Sequence, residues 1–336
     1  MARRFDVRLW GGIGVSLFFM GLLFRKIDFP QLAAVLKEVD YPYLAGAVVL
    51  TFASYFMRAV RWKYLLICER PLPLGSLYPA TIIGYMANNL LPARLGELIR
   101  AYTLARREQL ETPSVLASLV IDRLCDGFSV IVVLLIALFT LDFPPAMREA
   151  ESALKAGGMV LCTAYGAVIL FMVVLKRCTV KTIGAVTFVM KPFPSRWSER
   201  LIPMLGSFIA GIRLSAHTGH LAAIVSSSFL IWLFAIIPID LVLRAFSIHL
   251  PFAASLFIMV LLVFAVMVPA SPGYIGTYHY ACFKGLSVFQ ITDERAMGIA
   301  LLIHGVGFFP VILAGFYHLW RGGIGLSEVT HTGVQQ

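Results

Sequence analysis

The sequence predicts an all-α polytopic membrane protein. Six full spans and two oppositely oriented re-entrant hairpins form an inverted repeat, with both termini on the cytoplasmic side. Composition is the first observation behind this. Of 336 residues, 59% are apolar and 14% charged, with a mean hydropathy of +0.85, whereas soluble domains carry roughly 25% charged residues. Too little polar surface remains to cover a globule, which excludes a cytosolic enzyme, a secreted domain and a disordered chain. The second observation is that apolar runs of 16 to 20 residues recur from end to end, so residues 1–336 read as a single transmembrane domain. The third is where the positive charge falls. A net charge of +10 would suggest nucleic acid in a soluble chain. Here topology accounts for it, and no nucleic-acid partner is expected. The five cysteines are scattered and form no CxxC, so neither a zinc site nor a disulfide framework is expected, and no cofactor.

The elements follow in order. Basic Arg3, Arg4 and Arg8 precede apolar Leu9 to Phe24 with no convincing small-residue cleavage site after it, which reads as an uncleaved first span with its N-terminus inside. The second span runs from about Tyr43 to Tyr64 and ends in Arg58, Arg61, Trp62 and Lys63. Further apolar stretches are Leu77 to Leu91, Ser114 to Leu141, Gly157 to Leu175, Leu221 to Leu243, Phe252 to Val268 and Ala296 to Trp320. Eight simple spans would put Arg94, Arg100, Arg106 and Arg107 outside. They would do the same to the loop 176–220, with seven basic residues against one acid, Glu199. That violates the positive-inside rule. One change repairs it, with eight kinked but complete spans as the alternative: residues 77–108 enter from the cytoplasm and return. Residues 252–289 then form the matching hairpin from the outside, broken by Pro269-Ala-Ser-Pro-Gly-Tyr-Ile-Gly276, which cannot continue a helix. Within the basic loop, Trp197, Leu201, Leu205, Phe208 and Ile212 keep a helical period, as an amphipathic helix on the inner surface or a docked connector does.

The two hairpins match in sequence position. Leu91-Pro92-Ala93-Arg94-Leu95-Gly96 aligns with Val268-Pro269-Ala270-Ser271-Pro272-Gly273. Pro92, Gly96, Pro269, Pro272, Gly273 and Gly276 are the expected helix breakers. Glu97 precedes Arg123 by 26 residues and His279 precedes His304 by 25, each pair joining a hairpin's second arm to the helix after it. Broken helices in two opposed halves point to a transporter's substrate site.

The candidate binding residues cluster there. Asn88 and Asn89 close the first arm, and Arg94, Glu97 and Arg100 lie near one face of the second. That arm begins with unpaired N–H groups, a seat for an anion, and an Arg fork suits phosphate. Glu97 simply neutralising an arginine is the structural alternative. Asp122, Arg123 and Asp126 fall well inside the next span, where ionised residues are functional candidates by default. The two aspartates share a face, and Arg123 is turned about 100° away. It is expected to pair with Glu97 or an aspartate. Lys63 is expected to snorkel to the headgroups, while Arg58 and Arg61 either do the same or collect an anionic head. Asp240 and Arg244 read as an ion pair. In the second hairpin Ser271, Tyr278, His279 and, beyond it, His304 complete the set; His217, His220, His249 and His318 are assigned no role.

Arg58-x-x-Arg61-Trp62, Asn89-Leu-Leu-Pro92-x-Arg94-x-Gly96-Glu97-x-x-Arg100, Asp122-Arg123-x-x-Asp126 and Pro269-x-x-Pro272-Gly273-x-x-Gly276 resemble the transmembrane, flippase-like domain family of lysyl-phosphatidylglycerol synthases, over nearly the whole chain. The resemblance implies movement between leaflets of lipids with modified headgroups, such as aminoacyl-phosphatidylglycerol or polyprenyl-linked sugars. Two departures stand out. Where many members carry Glu after the last glycine and Arg in the final span, this chain has His279 and His304. Only about fifteen residues follow Arg321, so the soluble domain that transfers the amino acid from tRNA is not expected. Neighbouring imidazoles could relay a proton or simply pack.

The expected function is a flippase or scramblase for a lipid with an anionic headgroup, either a phospholipid or a polyprenyl phosphate, in the cell (inner) membrane. No GxxxxGK[ST] loop is present, so transport is expected to be passive, gradient-driven, or coupled to protons or potential. A homo-oligomer is compatible with this. The rivals are a membrane enzyme acting on lipid phosphates, with Asp122 and Asp126 as its acids, and a non-transporting accessory subunit of a glycolipid pathway.

Overall fold

The computed structural model describes residues 28–66, 71–91, 95–140, 148–190, 195–211, 218–267 and 272–322. The expected first span, and Pro92, Arg94, Pro269 and Ser271, lie outside the described residues. All regular structure among the described residues is helical.

A short helix α1 (Phe29–Lys37) opens the described chain, with the Asp28 carboxylate accepting from the Gln31 N–H at 3.2 Å and Pro30 in the first turn. It was not anticipated. At nine residues it is too short for the span criterion, although Asp-Phe-Pro is a helix-start signal. Helix α2 (Tyr41–Leu65) starts at Pro42 and runs 25 residues. Then come α3 (Leu74–Leu90), α4 (Gly96–Glu108), α5 (Thr112–Thr140), α6 (Arg148–Arg177), α7 (Thr179–Met190), α8 (Ser195–Gly211) and α9 (Thr218–Ala245). Helix α10 (Phe252–Met267), a 3₁₀ turn (Pro272–Tyr274), α11 (Thr277–Ser287) and α12 (Asp293–Gly322) complete the described chain.

Among the described residues, four helical segments are long and apolar enough to cross a membrane: α2, the Lys155–Leu175 part of α6, α9 and α12. Helix α5 matches them in length with 29 residues but carries Asp122, Arg123 and Asp126 in its middle. The shorter helices pair off. Arms α3 and α4 fold back on each other, as do α10 and α11.

The open ends of these pairs face opposite ways. One apolar cluster gathers Leu66 after α2, Leu72 and Leu77 at the start of α3, Leu104 near the end of α4 and Val115 at the start of α5. Both arms of the first pair therefore open at that end. At the other end, Phe257 near the start of α10 stacks edge-on to Phe289 just past α11, with ring centroids 6.0 Å apart. The Asp40 N–H there bonds the Ala245 carbonyl at 3.0 Å. The Pro272–Tyr274 turn packs on α3.

Local chemistry explains the breaks. Leu91 is extended (φ −105°, ψ 146°), as a residue before proline is driven to be. Gly96 opens α4 rather than breaking a helix, which corrects the expectation. A Cβ there would stand 2.1 Å from the Gly84 carbonyl oxygen, so glycine is required by the crossing of the two arms. In the second tip, Gly273 (φ 75°) and Gly276 (φ 98°) adopt left-handed backbone and do break the helix.

The amphipathic helix in the basic loop exists as α8, preceded by α7, which was not anticipated. Helix α8 packs along α5, which favours the docked connector. Of the predicted stripe Leu201 is exposed, while Ile209 outside it is buried, and Ile212 lies outside the described residues.

A candidate anion site inside the bundle

Five helices deliver charged or hydroxyl side chains to one place. Arg58 and Arg61 come from α2, Tyr85 from α3, Glu97 and Arg100 from α4, Asp122, Arg123 and Asp126 from α5, and Ser228 from α9. Arg61 is the hub. Its Nε donates to Asp122 Oδ1 at 2.8 Å, its Nη2 to Asp126 Oδ1 at 2.7 Å and its Nη1 to Ser228 Oγ at 3.2 Å. Arg58 Nη1 donates to Asp126 Oδ2 at 2.8 Å. Arg100 Nη1 donates to Asp122 Oδ2 at 3.1 Å, and its guanidinium lies 4.1 Å from the centroid of the Trp62 ring. Trp62 is itself held by Ser118 Oγ at 2.9 Å. Arg61, Arg100 and Asp122 are essentially sealed from solvent.

Arg58 and Arg61 do not snorkel, which corrects that alternative: the aspartates of α5 hold them. Arg123 pairs as expected, with Glu97 and with an aspartate. Its Nη1 lies 3.1 Å from Asp126 Oδ2, three residues on, and its Nη2 reaches Glu97 Oε1 at 3.3 Å and Tyr85 Oη at 2.8 Å. Asn88 serves the fold: its Oδ1 accepts from the Gly96 N–H at 2.9 Å. The first N–H of α4, expected to seat an anion, is therefore capped by the facing arm. Asn89 is half-buried.

Charge counting sets the electrostatics. Among the described residues, four guanidiniums (Arg58, Arg61, Arg100, Arg123) face three carboxylates (Glu97, Asp122, Asp126), leaving one positive charge in excess. Several polar atoms are also buried without a hydrogen-bond partner: Glu97 Oε2, Arg100 Nε and Nη2, and Arg123 Nε. Unmade hydrogen bonds at buried charged groups are costly. The cluster has one more accessible edge, because the Arg123 side chain is 40% exposed and Glu97 27%.

Arg58 and Tyr85 also line a cavity of about 180 Å³, whose other walls include Tyr55, Phe234, Met259 and Tyr278. Tyr278 sits at the second tip, 4.9 Å between centroids from His304. His304 is 4.8 Å from His279, whose Nε2 is buried without a partner. So each matched polar pair, Glu97 with Arg123 and His279 with His304, is in contact. Asp240 and Arg244 pair at 2.7 Å. Tyr85 and Ser228 were missed: single aromatic or hydroxyl residues in apolar helices carry no signal until the neighbouring helices are placed.

The family described as "Lysylphosphatidylglycerol synthase TM region" matches residues 9–315. The chain is 27% identical to a UPF0104 membrane protein of Methanothermobacter thermautotrophicus, over 89% of this chain and 90% of that protein. It is 18% identical to a UPF0104 membrane protein of Methanocaldococcus jannaschii, over 90% and 91% of the two chains. It is also 24% identical to the glycosyltransferase AglD of Haloferax volcanii over 92% of its own length, and it spans about half (53%) of that protein. No solved structure matches. With a multi-pass helical bundle and this span of matching residues, the chain belongs to the family of lysylphosphatidylglycerol synthase transmembrane regions.

Proposed function

We propose that the chain is a flippase or scramblase that carries a lipid with an anionic, phosphate-bearing headgroup between the leaflets of the cell (inner) membrane. The observation that carries this is the buried cluster with one uncompensated positive charge, open at Arg123 and Glu97 and adjoining the cavity at Arg58. A headgroup phosphate balances that charge and offers acceptors to the unpartnered guanidinium N–H groups, while the acyl or prenyl chains stay in lipid.

In this reading, Leu9 to Phe24, α2, α5, α6, α9 and α12 are the six spans, and α3/α4 and α10/α11 are re-entrant hairpins entering from the cytoplasm and from outside. Helical rise supports it. The arms of 17, 13, 16 and 11 residues measure about 16–25 Å, short of the roughly 30 Å hydrocarbon core. Non-helical backbone at membrane depth is tolerated where it lines a cavity or is buried in protein, and the Pro272–Tyr274 turn packs on α3. The chain does no covalent chemistry in this reading; Asp122 and Asp126 being engaged by arginines supports that. The imidazole pair exchanges a proton during transport, so His279→Ala changes the pH profile of flipping, and an unchanged profile assigns the pair to packing.

The test is a headgroup-accessibility assay in proteoliposomes with fluorescent anionic and zwitterionic lipids. Wild type is expected to move the anionic probe faster, and Arg123→Gln and Glu97→Gln to lose that selectivity. Rates no higher than in empty liposomes across anionic lipids would overturn the proposal. They would favour an accessory role in glycolipid assembly, to which the likeness to part of a protein named as a glycosyltransferase also points.

A further inference from the structure

A second cavity, of about 810 Å³, lies at the end of the bundle where α4 and α12 finish. Its walls are the start of α3, the end of α4 and the end of α12, so it is separate from the arginine–carboxylate cluster. Arg106 and Arg107 on α4 and His318 and Arg321 on α12 line it, and no carboxylate is among its described lining residues. His318 stacks edge-on to Tyr78 at 5.8 Å, and Arg107 and Arg321 both act on it electrostatically. Inward, the cavity ends at Ile83, which belongs to an apolar plug with Met86, Ile99 and Leu319.

Cations in the last turn of a helix complement its dipole. That accounts for each arginine alone. It does not account for guanidiniums from two helices, distant in sequence, converging on one concave wall. Like charges so gathered repel and focus a positive potential into the concavity, and the volume falls within the range of ligand sites, about 300–1,000 Å³. We propose that this cavity is a phosphate-binding site, with Arg107 and Arg321 as its principal ligands, Arg106 and His318 on its walls and Tyr78 as its stacking face. Arginine presents a planar fork that grips two phosphate oxygens at once, and the apolar plug stops the anion at this depth. The phosphate is that of a lipid headgroup or a free anion. The inference concerns binding, so it stands or falls apart from lipid transport.

The test uses the full chain in phosphatidylcholine nanodiscs, titrated separately with inorganic phosphate and with dioctanoyl phosphatidylglycerol and read by thermophoresis. Wild type is expected to bind at least one probe, R107Q/R321Q to bind it about tenfold or more weakly, and R244Q, at the opposite end, to match wild type. Saturation by the lipid alone identifies a headgroup as the source; saturation by phosphate alone identifies a free anion. If R107Q/R321Q is not monodisperse, R321Q, at an exposed position, is expected to weaken binding about threefold. Wild type binding neither probe, or unchanged affinity in the arginine variants, overturns the proposal.

Discussion

Asp122 is the residue on which the inner cluster balances. It accepts from Arg61 and Arg100 with no exposure of its own, so removing its charge leaves two buried guanidiniums short of a partner. Breaking a buried pair this way costs about 3–5 kcal/mol. Asp122→Asn is therefore expected to lower the melting temperature in detergent sharply, and Asp122→Asn with Arg100→Met to lose less than the two single changes summed, since the second removes a stranded charge. Gly96→Ala is expected to destabilise by about 1–3 kcal/mol through overpacking against Gly84, read as a lower melting temperature; an unchanged melt would mean that the two arms do not cross there. These residues also show what a sequence can disclose. Asp122, Arg123 and Asp126 announce themselves as charges in an apolar helix. Their partners do not, because Arg58 and Arg61 reach Asp126 and Asp122 across 68 and 61 residues, and only helix packing selects that pairing over the headgroups.

At the scale of elements, helix positions were readable at most long apolar runs: α2, α5, α9 and α12 fall within a few residues of the predicted bounds, whereas α6 starts nine residues before the predicted Gly157. Charge distribution pointed to the fold-back of residues 77–108. The failures share a cause, in that α1 and α7 are short, at 9 and 12 residues, and the buried face of α8 is chosen by α5 rather than by its own periodicity. The opposed openings make a prediction here. In a cysteine-free background, Gly75→Cys, where a side chain meets open space, and Arg107→Cys should react with an impermeant thiol reagent from one face of the membrane. Lys284→Cys and Arg244→Cys should react only from the other. Labelling of Gly75→Cys and Arg107→Cys from opposite faces would instead make α3 and α4 a single crossing.

Across the whole molecule, two cavities approach the middle from opposite ends, one ending at the plug of Ile83 and Met86 and the other at Arg58. Helices α3 and α12 line both cavities and run between them. In an energised membrane, water filling both cavities would carry each bulk potential inward, so the voltage would drop across the protein between the two floors instead of the full bilayer. A charge passing it would then do its electrical work, about 2.3 kcal/mol per 100 mV, over a path shorter than the membrane is thick. The barrier would behave as a small capacitor whose plates are the two cavity floors, and the side chains between them, Arg58 and Arg123 foremost, would sit where the field is steepest.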